Sequence, residues 1–408
     1  MESLTMDNFK KLGISNAILK SIDEHGFENP SEIQEKSIPL ILAGEDVIAG
    51  SATGSGKTLA FASGIIQNSD RGYGIQALIL TPTRELAEQV ANTFRNFSRY
   101  DPLKVVSIYG GVGINPQIKE LKTAEVVVGT PGRLLDHISR NTIRLNNVKT
   151  LVLDEADHMF DMGFIKDVEK IIQKCPENRQ TLLFSATITK EVVRLSRKYM
   201  VNPIEVAVES YIDPKKLNQV VYKVQDDMKM SLLVHLLKSE NTNLGMVFCN
   251  TKRNTDKVAK NLRNSGVNAI AIHGGLTQNK RNNIMELFHS KKVSVLVCTD
   301  VAGRGLDIKD VSHVYNYEIP RESKQYIHRI GRTARAGSNG KAINILSPKD
   351  HDNYMSVLRD NDVDIKELTL PAMERMKNPE RALEKPINRM NTPPRKGRQN
   401  QRQNYNHR

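Results

Sequence analysis

The chain has 408 residues, of which 39% are apolar and none is tryptophan, and it carries a net charge of +13. Such a length predicts two or three domains at about 150 residues each, and the basic charge favours a polyanionic partner. The three cysteines are widely spaced and form no CxxC pair, which argues against a disulfide framework and against a zinc site. Since no signal pattern and no run of roughly eighteen apolar residues occurs, we expect a reducing, cytoplasmic setting without membrane association.

The first half of the chain is predicted to alternate strands and helices after a helical start. Residues 1–45 have the spacing of short helices, and Glu85–Phe97 has the spacing of an amphipathic helix. Apolar strands that alternate with helices predict a parallel sheet covered on both faces. The predicted strands are Asp46–Ala49, Gln76–Leu80, Val105–Tyr109, Glu125–Gly129, Thr150–Leu153 and Gln180–Phe184.

The second half resumes this alternation after a polar joint. We predict two α/β domains, 1–208 and 218–370, which are joined by a linker at 209–217 and followed by a basic tail at 371–408. The tail has ten Lys/Arg and three Glu but almost no apolar residues, which predicts disorder when it is unbound. Strands of the second domain are predicted near Gly245–Asn250, Asn268–Ile272, Ser294–Thr299, His313–Tyr317 and Ala342–Leu346.

A phosphate-binding loop is predicted between the strand at Asp46–Ala49 and a helix at Leu59–Ile66. Lys57 would reach the outer phosphates, and the hydroxyl of Thr58 would reach Mg²⁺. Ser51 stands where a glycine is usual, and a ligand-free Gly/Ser-rich turn is the alternative. The residues that would line the phosphates are Ser51, Ala52, Thr53, Gly54, Ser55 and Gly56.

Two carboxylates follow the predicted strand Thr150–Leu153 and should lie at the carboxyl edge of the sheet, where ligands of α/β proteins bind. Asp154 would hold Mg²⁺ through water, and Glu155 would orient or deprotonate the attacking water. A solvated strand end is the alternative for this pair taken alone.

Thr81-Pro82-Thr83-Arg84 and Thr130-Pro131-Gly132-Arg133 share one sequence pattern. We predict that the leading Thr of each caps a helix, that Pro is the first helical residue, and that Arg lies in the first turn. A helix N-terminus with an Arg is suited to phosphate, so both copies, with Gly110-Gly111 between them, predict contacts along a nucleic acid strand. Plain capped helices are the alternative.

Arg329, Arg332 and Arg335 recur every three residues and are predicted to share one helical face. Because no acidic neighbours are evident, we expect this face to meet anions, although a solvated basic face is the alternative. An arginine supplied across a domain cleft accelerates phosphoryl transfer on the order of 10³–10⁵-fold.

Taken in order, these motifs resemble those of the DEAD-box ATP-dependent RNA helicases over residues 1–370. The resemblance implies two tandem RecA-like domains, each a parallel sheet flanked by helices. Phe9, Phe27 and Gln34 resemble the family's adenine-reading motif, which implies that Gln34 hydrogen-bonds adenine and that ATP is the nucleotide. Small departures occur at Ser31-Glu32, Ser51 and Ala334.

The resemblance also implies roles for single residues. It implies catalytic roles for Lys57, Asp154, Glu155, Arg332 and Arg335, and an ATP contact for Asp307. It implies RNA contacts for Pro82, Arg84, Gly111, Thr130, Arg133, Thr251, Arg281 and Thr299. It implies that Asp157, Ser185, Thr187 and His328 couple the nucleotide state to RNA.

The activity implied is local, non-processive unwinding of short RNA duplexes, or remodelling of RNA–protein complexes, by domain closure on single-stranded RNA. An ATP-gated RNA clamp or annealing chaperone, and a DNA translocase, are the alternatives. We expect a monomer that uses ATP and Mg²⁺ and binds RNA without strong sequence preference, with ribosomal or RNA-decay proteins as possible partners.

Overall fold

The computed structural model describes residues 6–50, 54–208, 217–240, 242–303, 308, 311–333, 340–373 and 375. Met1–Met373 form one compact unit. The linker predicted at 209–217, apart from Leu217, and nearly all of the tail predicted at 371–408 lie outside the described residues.

The first sheet has seven strands within the described residues, and every pairing between them is parallel. Along the central strands, neighbouring side chains enter opposite cores: Phe184 packs into one apolar cluster and Leu183 into the other. Both faces are therefore buried, as the unbroken apolar strand sequences predict. In chain order the strands are β1 Val47–Gly50, β2 Ala77–Leu80, β3 Val105–Ile108, β4 Val126–Gly129, β5 Thr150–Leu153, β6 Gln180–Ser185 and β7 Ile204–Ala207.

The helices of this half confirm the helical start and the alternation. The helix predicted from Leu59 begins two residues earlier, at Lys57, and the helix predicted from Glu85 begins at Arg84. The helices are α1 Met6–Lys11, α2 Asn16–Glu24, α3 Glu32–Leu42, α4 Lys57–Asn68, α5 Arg84–Phe97, α6 Ile114–Leu121, α7 Pro131–Ser139, α8 Ala156–Asp161, α9 Ile165–Ile172 and α10 Lys190–Tyr199.

The second sheet also has seven parallel strands within the described residues. Its strands are β8 Leu217–Lys223, β9 Gly245–Cys249, β10 Ala269–Ile272, β11 Val295–Thr299, β12 His313–Asn316, β13 Gly340–Leu346 and β14 Lys366–Leu368. Its helices are α11 Lys229–Ser239, α12 Lys252–Asn264, α13 Gln278–His289, α14 Asp300–Gly303, α15 Ser323–Ile330 and α16 His351–Asp360, with a 3₁₀ turn at Pro348–Asp350.

The two sheets have the same topology. Their strand orders are β3-β4-β2-β5-β6-β1-β7 and β10-β11-β9-β12-β13-β8-β14, so each strand of the first has a counterpart seven places later. This repeat matches the predicted tandem RecA-like domains. Within the described ranges, each helix is too short or too polar to cross a membrane.

Three strands were not predicted. β7 and β14 are edge strands whose residues are mostly exposed, so they lack the apolar run that marks a buried strand. β8 begins at Leu217, which the prediction assigned to the linker. Its sequence, Leu-Asn-Gln-Val-Val-Tyr-Lys, mixes polar and apolar residues and so lacks the apolar run that predicts a buried strand. The second sheet therefore begins one residue before the predicted domain boundary.

Candidate active site

The predicted phosphate-binding loop joins β1 to α4. Gly54 and Gly56 have φ angles of 84° and 92°, which glycine adopts without strain. A Cβ on Gly56 would lie 2.4 Å from Nε2 of Gln34, so the close approach of α3 also requires glycine here. Lys57 starts α4 and is buried, while Thr58 is partly exposed beside it. Ser51, Ala52 and Thr53 lie outside the described residues.

Gln34 fastens α3 to this loop. Its Nε2 donates to the Gly56 carbonyl at 3.0 Å, and its Oε1 accepts from the backbone N–H of Ser31 at 2.9 Å in a capping box. The hydroxyl of Ser31 donates to the Ser55 carbonyl at 2.7 Å. Gln34 is 3% exposed, so its side chain is fixed rather than free to turn.

The two aromatic residues predicted to contact the nucleotide differ in their surroundings. Phe27 is 39% exposed and lies 6.1 Å from the ring of Phe97. Phe9 has no exposed surface and packs in the apolar cluster of the first sheet. In this structure the ring of Phe9 anchors α1 on the core, and its contact with ATP stays a prediction.

Asp154 and Glu155 follow β5 at the carboxyl edge of the sheet, as predicted. Asp154 is 2% exposed, and its Oδ1 has no hydrogen-bond partner among the described residues. Burial raises the pKa of Asp154 to about 6, although the nearby charge of Lys57 acts in the opposite direction. An orphaned buried carboxylate oxygen beside a phosphate-binding loop fits a Mg²⁺ ion, which binds proteins through one or two carboxylates together with phosphates and water.

Glu155 has a left-handed backbone with φ 51° and ψ 51°, which non-glycine residues rarely adopt. Burial raises the pKa of its carboxyl group, but the hydrogen bond from His158 and the charges of His158, Lys57 and Arg332 outweigh burial and hold the pKa well below the usual range. Glu155 is thus ionised at neutral pH. Arg332 belongs to the second half of the chain, so both halves contribute charge to this carboxylate.

Three of the four residues predicted to couple nucleotide and RNA states, Asp157, Ser185 and Thr187, form one hydrogen-bond cluster next to Glu155. Oδ2 of Asp157 accepts from the backbone N–H of Thr187 at 2.9 Å and from its hydroxyl at 2.8 Å. Ser185 donates to the Thr187 carbonyl at 2.8 Å and accepts from the backbone N–H of Asp157 at 3.3 Å. The carbonyl of His328 accepts from Nε of Arg332 at 3.2 Å, which ties these two predicted residues together in the second domain.

The second Thr-Pro-x-Arg copy was predicted correctly, but the first was not. Thr130 is the N-cap of α7 and Pro131 is in its first turn. In the first copy the N-cap is Thr83, whose hydroxyl accepts from the backbone N–H of Leu86 at 3.3 Å, so Thr81 and the buried Pro82 precede the helix. The two segments therefore start their helices at different positions of the pattern.

Arg84 and Arg133 both reach the loop that contains Gly110-Gly111. A Cβ on Gly111 would lie 2.0 Å from a terminal nitrogen of Arg84, and the φ of Gly111 is 83°. Arg133 donates to the Val112 carbonyl at 3.0 Å and to Oε1 of Gln117 at 2.9 Å. These contacts bring together Arg84, Gly111 and Arg133, three of the five residues of the first domain that were predicted to bind RNA.

Arg281 lies in a buried contact between the two halves of the chain. Its guanidinium group is 2.7 Å from Oε2 of Glu85 on α5, and both side chains are at most 10% exposed. Gln278 donates to Oε1 of Glu85 at 2.8 Å and accepts from Arg84 at 3.4 Å. We call Glu85, Gln278 and Arg281 the interdomain latch. The sequence analysis did not identify Glu85 as a functional residue. Glu85 lies at the start of a helix, and its sequence position does not indicate a partner almost two hundred residues away.

The predicted arginine face is wrong in two respects. α15 ends at Ile330, so Arg332 is not on the helix that carries Arg329. Arg329 is 1% exposed and forms hydrogen bonds of 2.5 and 2.7 Å to Asp300. The sequence pattern did not predict this acidic partner, because Asp300 is distant in sequence. Arg329 is a buried structural residue. Arg335 and Asp307 lie outside the described residues.

The two remaining predicted RNA contacts lie at the carboxyl ends of neighbouring strands in the second sheet. Thr251 is exposed and caps α12 by accepting from the backbone N–H of Asn254 at 3.2 Å. Thr299 is the last residue of β11 and is partly exposed. Both are therefore accessible.

Comparison with known proteins identifies the family. The DEAD/DEAH box helicase family matches residues 31–195, and the helicase conserved C-terminal domain matches residues 228–337. The ATP-dependent RNA helicase CshA of Limosilactobacillus reuteri is 45% identical over 347 residues, which are 84% of this chain and 70% of the relative.

Two solved structures are also similar. Saccharomyces cerevisiae Dbp5 bound to RNA and ADP BeF3 has 30% identity and a TM-score of 0.82, and the match covers 89% of this chain and 96% of Dbp5. A DEAD box protein from the hyperthermophile Methanococcus jannaschii has 45% identity and a TM-score of 0.54, with 88% and 99% covered. The chain belongs to the DEAD-box family of ATP-dependent RNA helicases and is an enzyme of that class.

Proposed function

We propose that this protein hydrolyses ATP between its two domains and couples hydrolysis to local, non-processive separation of short RNA duplexes. The single observation that carries the proposal is that Glu155, an ionised carboxylate at the edge of the first sheet, lies within the electrostatic reach of Lys57 from its own domain and Arg332 from the other. Charge from both domains at one carboxylate supports a role for Glu155 as the base that activates water, since phosphoryl transfer needs positive charge around the reacting group.

The bonds of Gln34 support a preference for adenine. A glutamine amide offers two N–H donors and two acceptor lone pairs, and Gly56 and Ser31 use one of each. One N–H donor and one acceptor lone pair of the amide remain. They match the N7 acceptor and the N6 donor of adenine. They do not match guanine, whose N7 and O6 both accept. We propose that Gln34 reads the base while it holds the loop that binds the phosphates.

The remaining roles follow from position. Lys57 would contact the outer phosphates, and Thr58 and Asp154 would hold Mg²⁺, which when bound neutralises the charge that develops on the phosphates. Glu155 would take the proton of the attacking water, and Arg332 would stabilise the transition state from the second domain. We also propose that the protein acts as a monomer.

Closure of the two domains on RNA is supported by the comparison of two structures. The chain is more similar in shape to Dbp5 with RNA and a nucleotide analogue than to the M. jannaschii protein, although its sequence identity to Dbp5 is lower. We propose that the interdomain latch forms in this closed arrangement. Arg84, Gly111, Thr130 and Arg133 of the first domain, with Thr251 and Thr299 of the second, would then bind sugar and phosphate.

The substitution Glu155→Gln tests the proposed chemistry. It keeps the size of the side chain but removes the base, so we expect RNA-stimulated ATP turnover to fall by about 10²–10⁴-fold. Binding of ATP and single-stranded RNA should persist. Turnover of the variant at the wild-type rate would refute the role of Glu155, and equal unwinding of short and long duplexes would refute the non-processive mode.

A further inference from the structure

We infer that His158 is a positioning residue for the Glu155 carboxylate and that it connects this carboxylate to the Asp157–Thr187 contacts. The inference rests on the proposed role of Glu155 in activating water. His158 is not among the residues to which the sequence analysis gave a role.

The side chains of His158 and Glu155 are in direct contact inside the protein. Nδ1 of His158 lies 3.2 Å from Oε2 of Glu155, and the two residues are 2% and 6% exposed. An ionised carboxylate only accepts hydrogen bonds, so Nδ1 carries the proton in this contact. The imidazole therefore holds one carboxylate oxygen in a fixed direction. Because the site is shielded from bulk solvent, this direction decides whether the carboxylate faces the attacking water molecule.

The backbone of Glu155 is strained. Its left-handed conformation is unfavourable for a residue with a side chain and persists only where surrounding contacts over-determine it. The bond to His158 spans the first turn of α8, directly after the strained residue, so it opposes relaxation of that residue. Removing the bond should let the carboxylate shift even if the fold persists.

The backbone of His158 is bonded to the carboxylate of Asp157. Its N–H donates to Oδ1 of Asp157 at 3.0 Å, while Oδ2 of the same carboxylate holds Thr187. One carboxylate thus bonds both to Thr187 and to the residue that orients the base. A displacement of Thr187 reaches Glu155 through Asp157 and His158, which provides a physical connection between this cluster and the reacting group.

Two isosteric amides test the inference. In His158→Asn the side-chain N–H₂ lies near the position of Nδ1, whereas in His158→Gln it lies near Nε2, out of line with Glu155. We expect kcat for RNA-stimulated ATP hydrolysis to fall roughly 10–100-fold in the Gln variant, as for other residues that orient reacting groups. The KM for ATP should stay unchanged, and the Asn variant should recover most of the lost kcat. His158→Leu, which has no donor, should be as impaired as His158→Gln.

The outcomes separate this inference from the proposed function. Equal kcat in the Asn and Gln variants, at equal melting temperature, would overturn the positioning role. A loss confined to KM would also overturn it. Glu155→Gln is measured in parallel: full turnover in that variant refutes the proposed function, whereas an inactive Glu155→Gln with a fully active His158→Gln refutes only the role of His158.

Discussion

The interdomain latch gives the sharpest test of how the two domains act together, through the substitution Glu85→Ala. Glu85 carries a negative charge, so a purely electrostatic view predicts that its removal strengthens RNA binding. The structure predicts the opposite when nucleotide is present. Glu85 holds Arg281 at 2.7 Å and Gln278 at 2.8 Å across the two domains, and the variant loses both bonds.

The magnitude follows from burial. Removing one partner of a buried ion pair costs about 3–5 kcal/mol, because the other charge is left uncompensated. When the domains separate, water solvates both groups, so the cost falls only on the closed arrangement. Since about 1.4 kcal/mol corresponds to a factor of ten, we expect RNA affinity in the presence of a non-hydrolysable ATP analogue to fall on the order of 10²–10³-fold.

The assay is titration of labelled single-stranded RNA with and without the analogue, followed by fluorescence anisotropy. Without nucleotide we expect the affinity of Glu85→Ala to be unchanged or slightly higher. Asp101→Ala is a matched control, because it removes the same charge from an ion pair with Arg71 whose side chains are 49% and 58% exposed. Exposed pairs contribute about 0–1 kcal/mol, so this control should bind as the wild type does.

Two results would refute the reasoning. Wild-type affinity of Glu85→Ala with the analogue would mean that the latch does not stabilise the RNA-bound form. If Arg281→Ala instead weakens RNA binding equally with and without nucleotide, Arg281 contacts RNA directly, as the sequence analysis predicts.

Three further predictions concern the RNA surface, acid stability and the tail. Gly111→Ala places a Cβ against the Arg84 guanidinium and requires alanine to adopt a positive φ. RNA affinity should therefore fall at least tenfold, about 1.4 kcal/mol. Gly132→Ala is the control, because the space around its Cβ is open and RNA affinity should not change. Burial, followed by the charge of Arg133, lowers the pKa of His137, so the unfolded chain binds the proton more tightly than the folded chain. The contribution of His137 to the free energy of unfolding should be complete above about pH 6.5 and fall as the pH decreases. His137→Asn should flatten this pH dependence in urea unfolding. Truncation after Leu370 removes a net charge of +7, so the dependence of RNA affinity on salt should become shallower while basal ATP turnover persists, and an unchanged slope would assign the tail another role.

The sequence predicts motifs better than it predicts their partners. Short apolar runs before Asp154 and Thr130 were read correctly as strands because both faces of the sheet are buried. Edge strands such as Ile204–Ala207 were not predicted, because exposed strands lack the continuous apolar sequence by which buried strands are recognised. Gln34 was identified from its motif, but its bond to Gly56 depends on the packing of α3 beside the loop, which periodicity does not encode.

Charge was the least predictable property of the site. The run at Arg329 and Arg332 suggests a uniform basic face, yet Arg329 is neutralised by Asp300, which is 29 positions upstream. Glu85 was passed over because an acidic residue in a first helical turn is ordinary. In both cases the partner comes from a different segment, and only the tertiary fold brings the two charges together.

The burial of Arg329 has a mechanical consequence for the second domain. Its guanidinium donates to Asn316 on β12 and to Asn250, just after β9, and Asn316 donates in turn to Asn344 on β13. A slip of β9 or β12 past its neighbours would break bonds that hold this charged group inside the protein. We therefore expect the central strands β9, β12 and β13 to move as one rigid unit, which would direct the work of the proposed catalytic cycle to the RNA rather than to deformation of the domain.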